Sequence, residues 1–161
     1  GAQAVVALVQ EAIAKTRLLS DTSLNVVNRT ATPGTITKNK IVGCGTPTGS
    51  ELAIESLDVA GASAALGVIA EDVESGKSTT LYGPGSIVGV ESDGSGTIAY
   101  GPEVIAVAGA SLAASGRMKT LPASAGTYYV IGRYLGPSTL AATAGLVGLV
   151  RLCEPRKVIV A

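Results

Sequence analysis

The chain has 161 residues, with 12 basic and 12 acidic side chains and no histidine. This length suits one domain with a sizeable core. Without histidine, the commonest general base and metal ligand is missing, and Cys44 and Cys153 are too few for a zinc site. Balanced charge with only 5 Tyr and no Phe or Trp argues against nucleic-acid binding. We therefore expect neither an enzyme nor a cofactor-binding protein.

The composition favours a β fold. Hydrophobic residues make up 47% of the chain, and the core must be built from Val, Ile, Leu and Ala because Phe and Trp are absent. Such side chains pack well on a pleated sheet. The 21 Gly and 7 Pro indicate frequent turns. The sequence predicts a mainly β protein, a small antiparallel β-barrel or β-tulip of many short strands.

Charge is distributed in three blocks. Residues 1–50 sum to +3, residues 51–103 to −8 and residues 104–161 to +5. An acidic middle between basic flanks could pair copies of the chain head to tail, although charges so distributed are more often a solvated surface.

The N-terminal segment, residues 1–31, is predicted to be a helix or an extended arm, and residues 32–161 to be the barrel. Residues 2–20 carry an apolar stripe at helical spacing and good helix formers. An arm that adds a strand to another chain is the alternative. The candidate contacts to a partner are Val5, Leu8, Val9, Ile13, Lys15 and Arg17.

No apolar run reaches the roughly 18 residues of a membrane span, and no secretory signal is recognisable at the start. We expect a soluble protein made inside the cell. Cys44 and Cys153 could form a disulfide, but two free thiols in a reducing compartment are favoured.

The first half of the predicted barrel begins with SLNVVN at 23–28, which is typical of a strand. Asn28-Arg29-Thr30 within this stretch matches a glycosylation sequon. A turn and a short strand follow in ITKNKIVG at 36–43. Residues 45–61 are polar and rich in turn residues, which predicts a surface loop holding at most one exposed strand or a half-turn around Leu52, Ile54 and Leu57.

The stretch from Leu66 to Val90 organises the chain. It contains three apolar runs, LGVIA, TTLY and SIVGV, separated by ESGK and GPG, as in antiparallel strands joined by tight turns. SDGSG at 92–96 predicts another turn, and TIAYG and residues 104–107 predict strands. YYVIGRYLG predicts a further strand, and residues 146–152 predict a last, buried strand; Pro155 is expected to interrupt it and leave KVIVA as a short tail.

The motifs that could carry chemistry are weak. Gly76-Lys77-Ser78-Thr79 resembles the end of a phosphate-binding loop, but Glu71 stands where a glycine is required and no helical pattern follows Ser78, so a hairpin turn is predicted. Glu71, Asp72 and Glu74 could pair with Glu91 or Asp93 across a sugar cleft, which usually also needs aromatic platforms. The sequence offers little support for catalysis.

Four segments together resemble a known family: GVIAEDVESGKSTTLYGPGSIVGV, VAGASLAASGRMKTL, YYVIGRYL and GLVGLVRL. They are similar to the decoration, or cement, proteins of tailed-phage capsids, related in fold to the lambda head-decoration protein. The similarity covers about residues 32–155. The first 30 residues and the 44–62 loop depart from the family pattern.

This resemblance implies a structural virion protein, made in the host cytoplasm and seated on the outer capsid surface as a homotrimer. It implies that the chain binds the major capsid protein and holds neighbouring capsomers together in the expanded head, with no membrane or nucleic-acid partner and no cofactor. The alternative is a carbohydrate-binding β module of a phage fibre or baseplate. Such a module needs exposed aromatic side chains, and Tyr128, Tyr129 and Tyr134 are the candidates. Alternation along a strand would bury one of the neighbouring pair, so positions in the core are favoured for them.

Overall fold

The computed structural model describes residues 23–161, and these form a mostly β structure with very little helix. The predicted mainly β fold with a closed barrel is confirmed. The choice between an N-terminal helix and an arm lies outside the described residues, as do the candidate contacts Val5, Leu8, Val9, Ile13, Lys15 and Arg17.

Five strands from the first half of the chain close into the barrel: β1 (Ser23–Asn28), β2 (Lys40–Cys44), β3 (Ala53–Ser56), β4 (Ala65–Ile69) and β5 (Ser78–Tyr82). Around the barrel they follow the order β1, β3, β2, β4, β5. All neighbours are antiparallel except β1 and β3, which are parallel. Because β1 is a barrel strand, the barrel includes residues 23–28, which lie before the predicted boundary at residue 32.

Alternation along the strands separates two apolar clusters. Val42 and Ile69 point into the barrel, whereas their neighbours Ile41 and Val68 point out of it towards the rest of the molecule. The buried residues of the barrel interior are Val26, Ile36, Val42, Ile54, Ile69, Val73 and Leu81. Strands β2 and β4 are therefore covered on both faces.

The second half of the chain forms a second sheet from five strands: β6 (Ile87–Glu91), β7 (Glu103–Val107), β8 (Arg117–Thr120), β9 (Gly126–Gly136) and β10 (Val147–Val160). Their order is β6, β10, β9, β7, β8, and all pairs are antiparallel. A bridge between Ser92 and Met118 brings the two edges of this sheet together. The sheet is consequently curled around its own apolar side chains.

The barrel and the second sheet share a core. Ile41, Leu57 and Val68 of the first half belong to the same buried cluster as Val90 and Met118 of the second. Their backbones also bond directly, at a site we call the junction, where residues 39–41 lie between Glu91 and Gly116. Ile41 N–H donates to Gly116 O at 2.7 Å, and Glu91 N–H donates to Asn39 O at 3.0 Å. The two halves therefore pack as one body.

The prediction of an exposed loop over residues 45–61 is wrong in its second part. β3 is a barrel strand with Ile54 fully buried, and a short helix, α1 (Leu57–Ala60), follows it with Leu57 also fully buried. Ile54 is a core residue because β3 closes the barrel between β1 and β2, and Leu57 packs in the core shared with the second sheet, whereas Leu52 is exposed as expected.

Two further strand predictions need correction. TIAYG at 97–101 contributes only an isolated bridge between Ile98 and Leu140. The last strand does not end at Pro155, since β10 continues to Val160 and pairs with residues 126–130 of β9. It is also not buried on both faces, because Val147 and Leu149 are exposed while Val150 and Leu152 are buried. Proline is tolerated there because residues 153–155 bulge out of the β9–β10 ladder, where no backbone donor is needed.

Candidate functional site

A concave surface lies on the outer face of the second sheet, on the side away from its core. It is a groove of about 370 Å³ that we call the arginine groove, lined by Glu103, Gly132, Arg133, Leu135, Arg151, Leu152, Cys153 and Arg156. Strands β7, β9 and β10 supply all of these residues. The groove is thus built on paired strands, which position side chains more rigidly than loops do.

The bulge in β10 shapes the groove. Leu152 pairs with Gly132 and Arg156 pairs with Val130, so four steps along β10 match two along β9. A Cβ atom at Gly132 would lie 2.2 Å from Arg151 O, so only glycine permits this close approach of the two strands. The displaced backbone brings Arg156 to Glu103 on β7, with which it forms an ion pair.

The register places like charges side by side in the groove. Arg151 of β10 lies directly opposite Arg133 of β9, and Arg133 in turn lies opposite Glu103. The Arg133 guanidinium donates to Gly101 O at 2.5 Å. Within residues 23–161, the Arg151 side chain has no hydrogen-bond or ion-pair partner.

Cys153 lines one side of the groove, and both it and Cys44 are free thiols. Burial raises the pKa of the Cys153 thiol, and the nearby Glu154 carboxylate raises it further. A thiol held in its neutral form is a poor nucleophile. The groove therefore presents positive charge to a ligand, without an activated group for covalent chemistry.

An apolar patch adjoins the groove on the same outer face. Ile87 of β6 is 51% exposed, and Val147 and Leu149 of β10 are each 46% exposed. Ile87 lies directly opposite Arg151 in the ladder, so the patch and the groove meet at these two residues. We call Ile87, Val147 and Leu149 the apolar patch.

The carboxylates considered for a sugar cleft are not brought together. Glu91 binds Lys40 at 2.7 Å and Arg117 at 3.1 Å at the junction. Asp93 accepts hydrogen bonds from the backbone N–H and the hydroxyl of Ser95 within its own turn. Glu71, Asp72 and Glu74 are exposed on the loop between β4 and β5. These placements assign structural or solvent-exposed positions to all five.

The glycine motif at 76–79 is the predicted turn. Gly76 has φ of 78° and donates its N–H to Asn28 O, and Asn28 N–H donates to Lys77 O. No helix follows, because β5 begins at Ser78. The backbone donors that would surround a phosphate are engaged within the fold.

The three candidate tyrosines do not form a common platform. Tyr134 is 1% exposed, and its hydroxyl donates to Ser138 O. Tyr128 and Tyr129 are half-buried neighbours on β9 and therefore point to opposite faces. The tyrosine with the greatest exposure, Tyr100 at 70%, was not among the candidates.

The glycosylation sequon is inaccessible in the folded chain. Asn28 is fully buried, and its amide donates to Gly34 O and Val73 O, both at 3.0 Å. Its carbonyl oxygen accepts from the N–H and the hydroxyl of Thr30. Asn28 thus closes one end of the barrel instead of presenting its side chain to solvent.

Residues 23–161 hold neither a metal site nor a helical membrane span. No group of three or more Cys, Asp or Glu side chains there is placed to hold a metal ion. No helix in this part of the chain has the length and apolar character to cross a bilayer.

Comparison with known proteins gives no further identification. No family model matches the chain, no curated protein matches its sequence, and no solved structure matches its fold. The function must therefore be argued from the residues and surfaces described above.

Proposed function

We propose that the chain is a structural protein of a tailed-phage virion that binds the outer surface of the head. In this role it contacts the major capsid protein, holds neighbouring capsomers together and stabilises the expanded shell. It would be made in the host cytoplasm and act as a homotrimer without a cofactor. The observation that carries the proposal is the exposed apolar patch on the outer face of the second sheet.

The patch has the properties of a docking surface. Three branched side chains, Ile87, Val147 and Leu149, project from strands β6 and β10, whose opposite faces are buried in the core. Exposed apolar groups grouped on one face favour contact with another protein, and charged groups at the edge give the contact orientation. Arg151 supplies such a charge beside Ile87.

The segments that resemble decoration proteins include strands from both halves of this body. GVIAEDVESGKSTTLY spans the β4–β5 hairpin, YYVIGRYL lies in β9, and most of GLVGLVRL lies in β10, whereas VAGASLAASGRMKTL connects β7 to β8. A rigid β body suits a clamp on a shell under internal pressure. Each contact can be weak, because repetition across the lattice multiplies it.

Binding to heads is the direct test. The purified chain would be mixed with expanded heads of the phage that encodes it, assembled without this protein, and with unexpanded proheads; bound protein would be measured after sedimentation. We expect saturable binding to expanded heads and much weaker binding to proheads. Absence of binding to expanded heads contradicts the proposal.

A variant locates the contact. The double substitution Ile87→Asp with Leu149→Asp places two charges in the apolar patch, and we expect occupancy to fall at least about tenfold. Leu52→Asp is the matched control, because Leu52 is 55% exposed on the barrel and outside the patch. Equal loss in both variants would show that the patch is not the contact.

The N-terminal segment is a second proposed contact. Its apolar and basic residues, among them Leu8, Ile13 and Arg17, suit binding to the shell or a neighbouring copy. Removal of residues 1–20 should reduce retention on expanded heads. Unchanged occupancy would exclude this segment as a contact and leave the apolar patch to be judged by its own variant.

A further inference from the structure

The arginine groove carries an uncompensated positive charge. Its three arginines, Arg133, Arg151 and Arg156, face one carboxylate, Glu103, which is already paired with Arg156. The net formal charge of the groove is +2. Like charges directly opposite each other on neighbouring strands are destabilising, as Arg133 and Arg151 are here. An anionic group bound between them would relieve this repulsion.

An acidic surface of matching charge lies in the other half of the molecule. The loop between β4 and β5, residues 70–77, carries Glu71, Asp72 and Glu74 with Lys77, a net formal charge of −2; we call it the acidic loop. All four side chains are exposed. Within the described part of the chain, Glu71 and Glu74 have no ion-pair partner.

The acidic loop is held in place by the barrel. Val73 and Ile36 form a bridge with two backbone hydrogen bonds of 2.9 and 3.0 Å. Gly76 N–H donates to Asn28 O at 2.9 Å, and Asp72 accepts from Lys38 N–H at 2.8 Å. A loop anchored at three points loses little conformational entropy when it binds.

These two surfaces do not bond to each other within one chain. The acidic loop contacts β1 and the segment before β2, whereas the groove is formed by β7, β9 and β10. A contact between them therefore requires two molecules. We propose that the arginine groove binds the acidic loop of a second copy of this chain, head to tail.

The charge balance of the whole chain favours a second copy as the occupant. Formal net charge is zero, so two copies do not repel at long range, and the opposite charges lie on separate surfaces of each copy. Because the two surfaces are unlike, the contact is heterologous. Copies joined in this way form a ring if the rotation closes and a filament if it does not.

The test measures self-association of the full chain by sedimentation equilibrium, over a range of concentrations and at low and high salt. We expect concentration-dependent association that weakens as salt increases. Arg151→Glu should raise the dissociation constant at least about tenfold. This change does not threaten folding, because Arg151 is exposed and the new carboxylate would face Arg133.

Lys157→Glu is the matched control, since Lys157 is exposed on the same strand but outside the groove. It should leave the dissociation constant within about twofold of the original, as expected for a charge away from the contact. An equal effect of both substitutions would overturn the proposal, because it would indicate net charge as the cause.

A charge exchange gives the sharpest result. Glu71→Lys with Glu74→Lys should also weaken association, and mixing this variant with Arg151→Glu should restore it by pairing the acidic loop of one with the basic groove of the other. Failure of the mixture to associate overturns the proposal. A wild-type chain that stays monomeric at all concentrations and salt levels also overturns the proposal, even if its arginine groove binds an acidic peptide from another protein. None of these outcomes depends on capsid binding, which the head assay tests separately.

Discussion

Lys40 of the barrel places its ammonium group 2.7 Å from the carboxylate of Glu91 in the second sheet, with only 2% of the Lys40 side chain exposed. The same carboxylate oxygen accepts a hydrogen bond from Arg117 Nε at 3.1 Å, and Lys40 also donates to Ala113 O. The pKa of Lys40 is lowered, chiefly by burial and further by the nearby Arg117, and Glu91 offsets this only in part. This buried pair fixes how the two halves of the molecule are aligned.

We expect that replacing Glu91 destabilises the fold more than replacing Lys40. Glu91→Gln leaves a buried ammonium without its counter-charge and should lower the free energy of unfolding by about 3 kcal/mol. Lys40→Met leaves Glu91 paired with Arg117 and fills the space with an apolar chain, so its cost should stay within about 1 kcal/mol. Chemical denaturation of both variants measures the difference.

Glu103→Gln serves as the control for the loss of one carboxylate from an ion pair. Its partner Arg156 is 52% exposed, so solvent screens the interaction and the expected cost is below about 1 kcal/mol. If Lys40→Met lowers the free energy of unfolding more than Glu91→Gln does, the expected order is wrong. Leaving the Lys40 ammonium without a counter-charge is then not the larger loss of stability at the junction.

Gly116 is the second residue that holds the two halves of the molecule together at the junction. Gly116 has φ of 67°, and a Cβ atom at this position would lie 2.2 Å from the carbonyl oxygen of Ile41. The N–H of the same Ile41 donates to the carbonyl oxygen of Gly116. Gly116→Ala should therefore cost about 3 kcal/mol by combining backbone strain with overpacking. The midpoint of urea unfolding is the measurement.

Gly96→Ala is the comparison for Gly116, because no atom lies within 4 Å of a Cβ built at Gly96 and its φ is not in the left-handed region. We expect a change within about 0.5 kcal/mol. If both substitutions lower the free energy of unfolding by a similar amount, the backbone of Ile41 can move away from a Cβ atom at position 116 at little cost in stability.

Local pattern was sufficient for most of the strands. Residues 66–90 hold three apolar runs bounded by turn glycines, and they form β4, β5 and β6 as predicted. These runs predict where the strands lie, because the alternation of apolar and polar side chains and the preference of glycine for turns depend only on residues that are close in sequence. The same pattern does not reveal that β6 leaves the barrel and joins the second sheet.

The features that required the structure depend on pairing between distant segments. Pro155 predicts the end of a strand. β10 nevertheless continues past it, because Pro155 lies in a bulge whose residues, 153–155, do not pair with β9. Arg133 and Arg151 each interrupt an apolar strand, which is a visible signal in the sequence. Only the register of β9 against β10 places them opposite each other and creates the groove.

The next prediction concerns pH. Burial raises the pKa of Glu55 on β3, and Asp58 adds a smaller contribution of the same sign. The folded chain therefore binds the proton more tightly than the unfolded chain, and this contribution to stability is present at low pH and lost as the pH rises through the raised pKa. Glu55→Gln should be more stable than the wild type at pH 7.

The advantage of Glu55→Gln should shrink as the pH falls through the carboxyl range and vanish once Glu55 is protonated, because a protonated carboxyl and an amide are similar in size and polarity. Thermal unfolding across pH 3 to 7 follows the difference. Glu71→Gln removes the same charge from an exposed loop and corrects for net charge. A difference that is constant with pH would contradict the prediction.

Asn28 gives the last prediction because its side chain is fully buried with all four hydrogen bonds made. The amide donates to Gly34 O and Val73 O, and the carbonyl oxygen accepts twice from Thr30. Asn28→Asp replaces two donors by an oxygen facing two carbonyl groups, which should cost about 3 kcal/mol at pH 7. Part of this loss should be recovered in acid, because a protonated carboxyl can donate one bond.

Asn25→Asp is the matched change, since Asn25 is an exposed residue of the same strand. It adds the same charge to β1 without burying it, so we expect a difference within about 0.5 kcal/mol and little recovery in acid. Urea unfolding of both variants at pH 7 and pH 4 is the measurement. If the two variants lose equal stability, charge on β1 is responsible, and the bonds from Asn28 to Gly34 and Val73 do not close the end of the barrel.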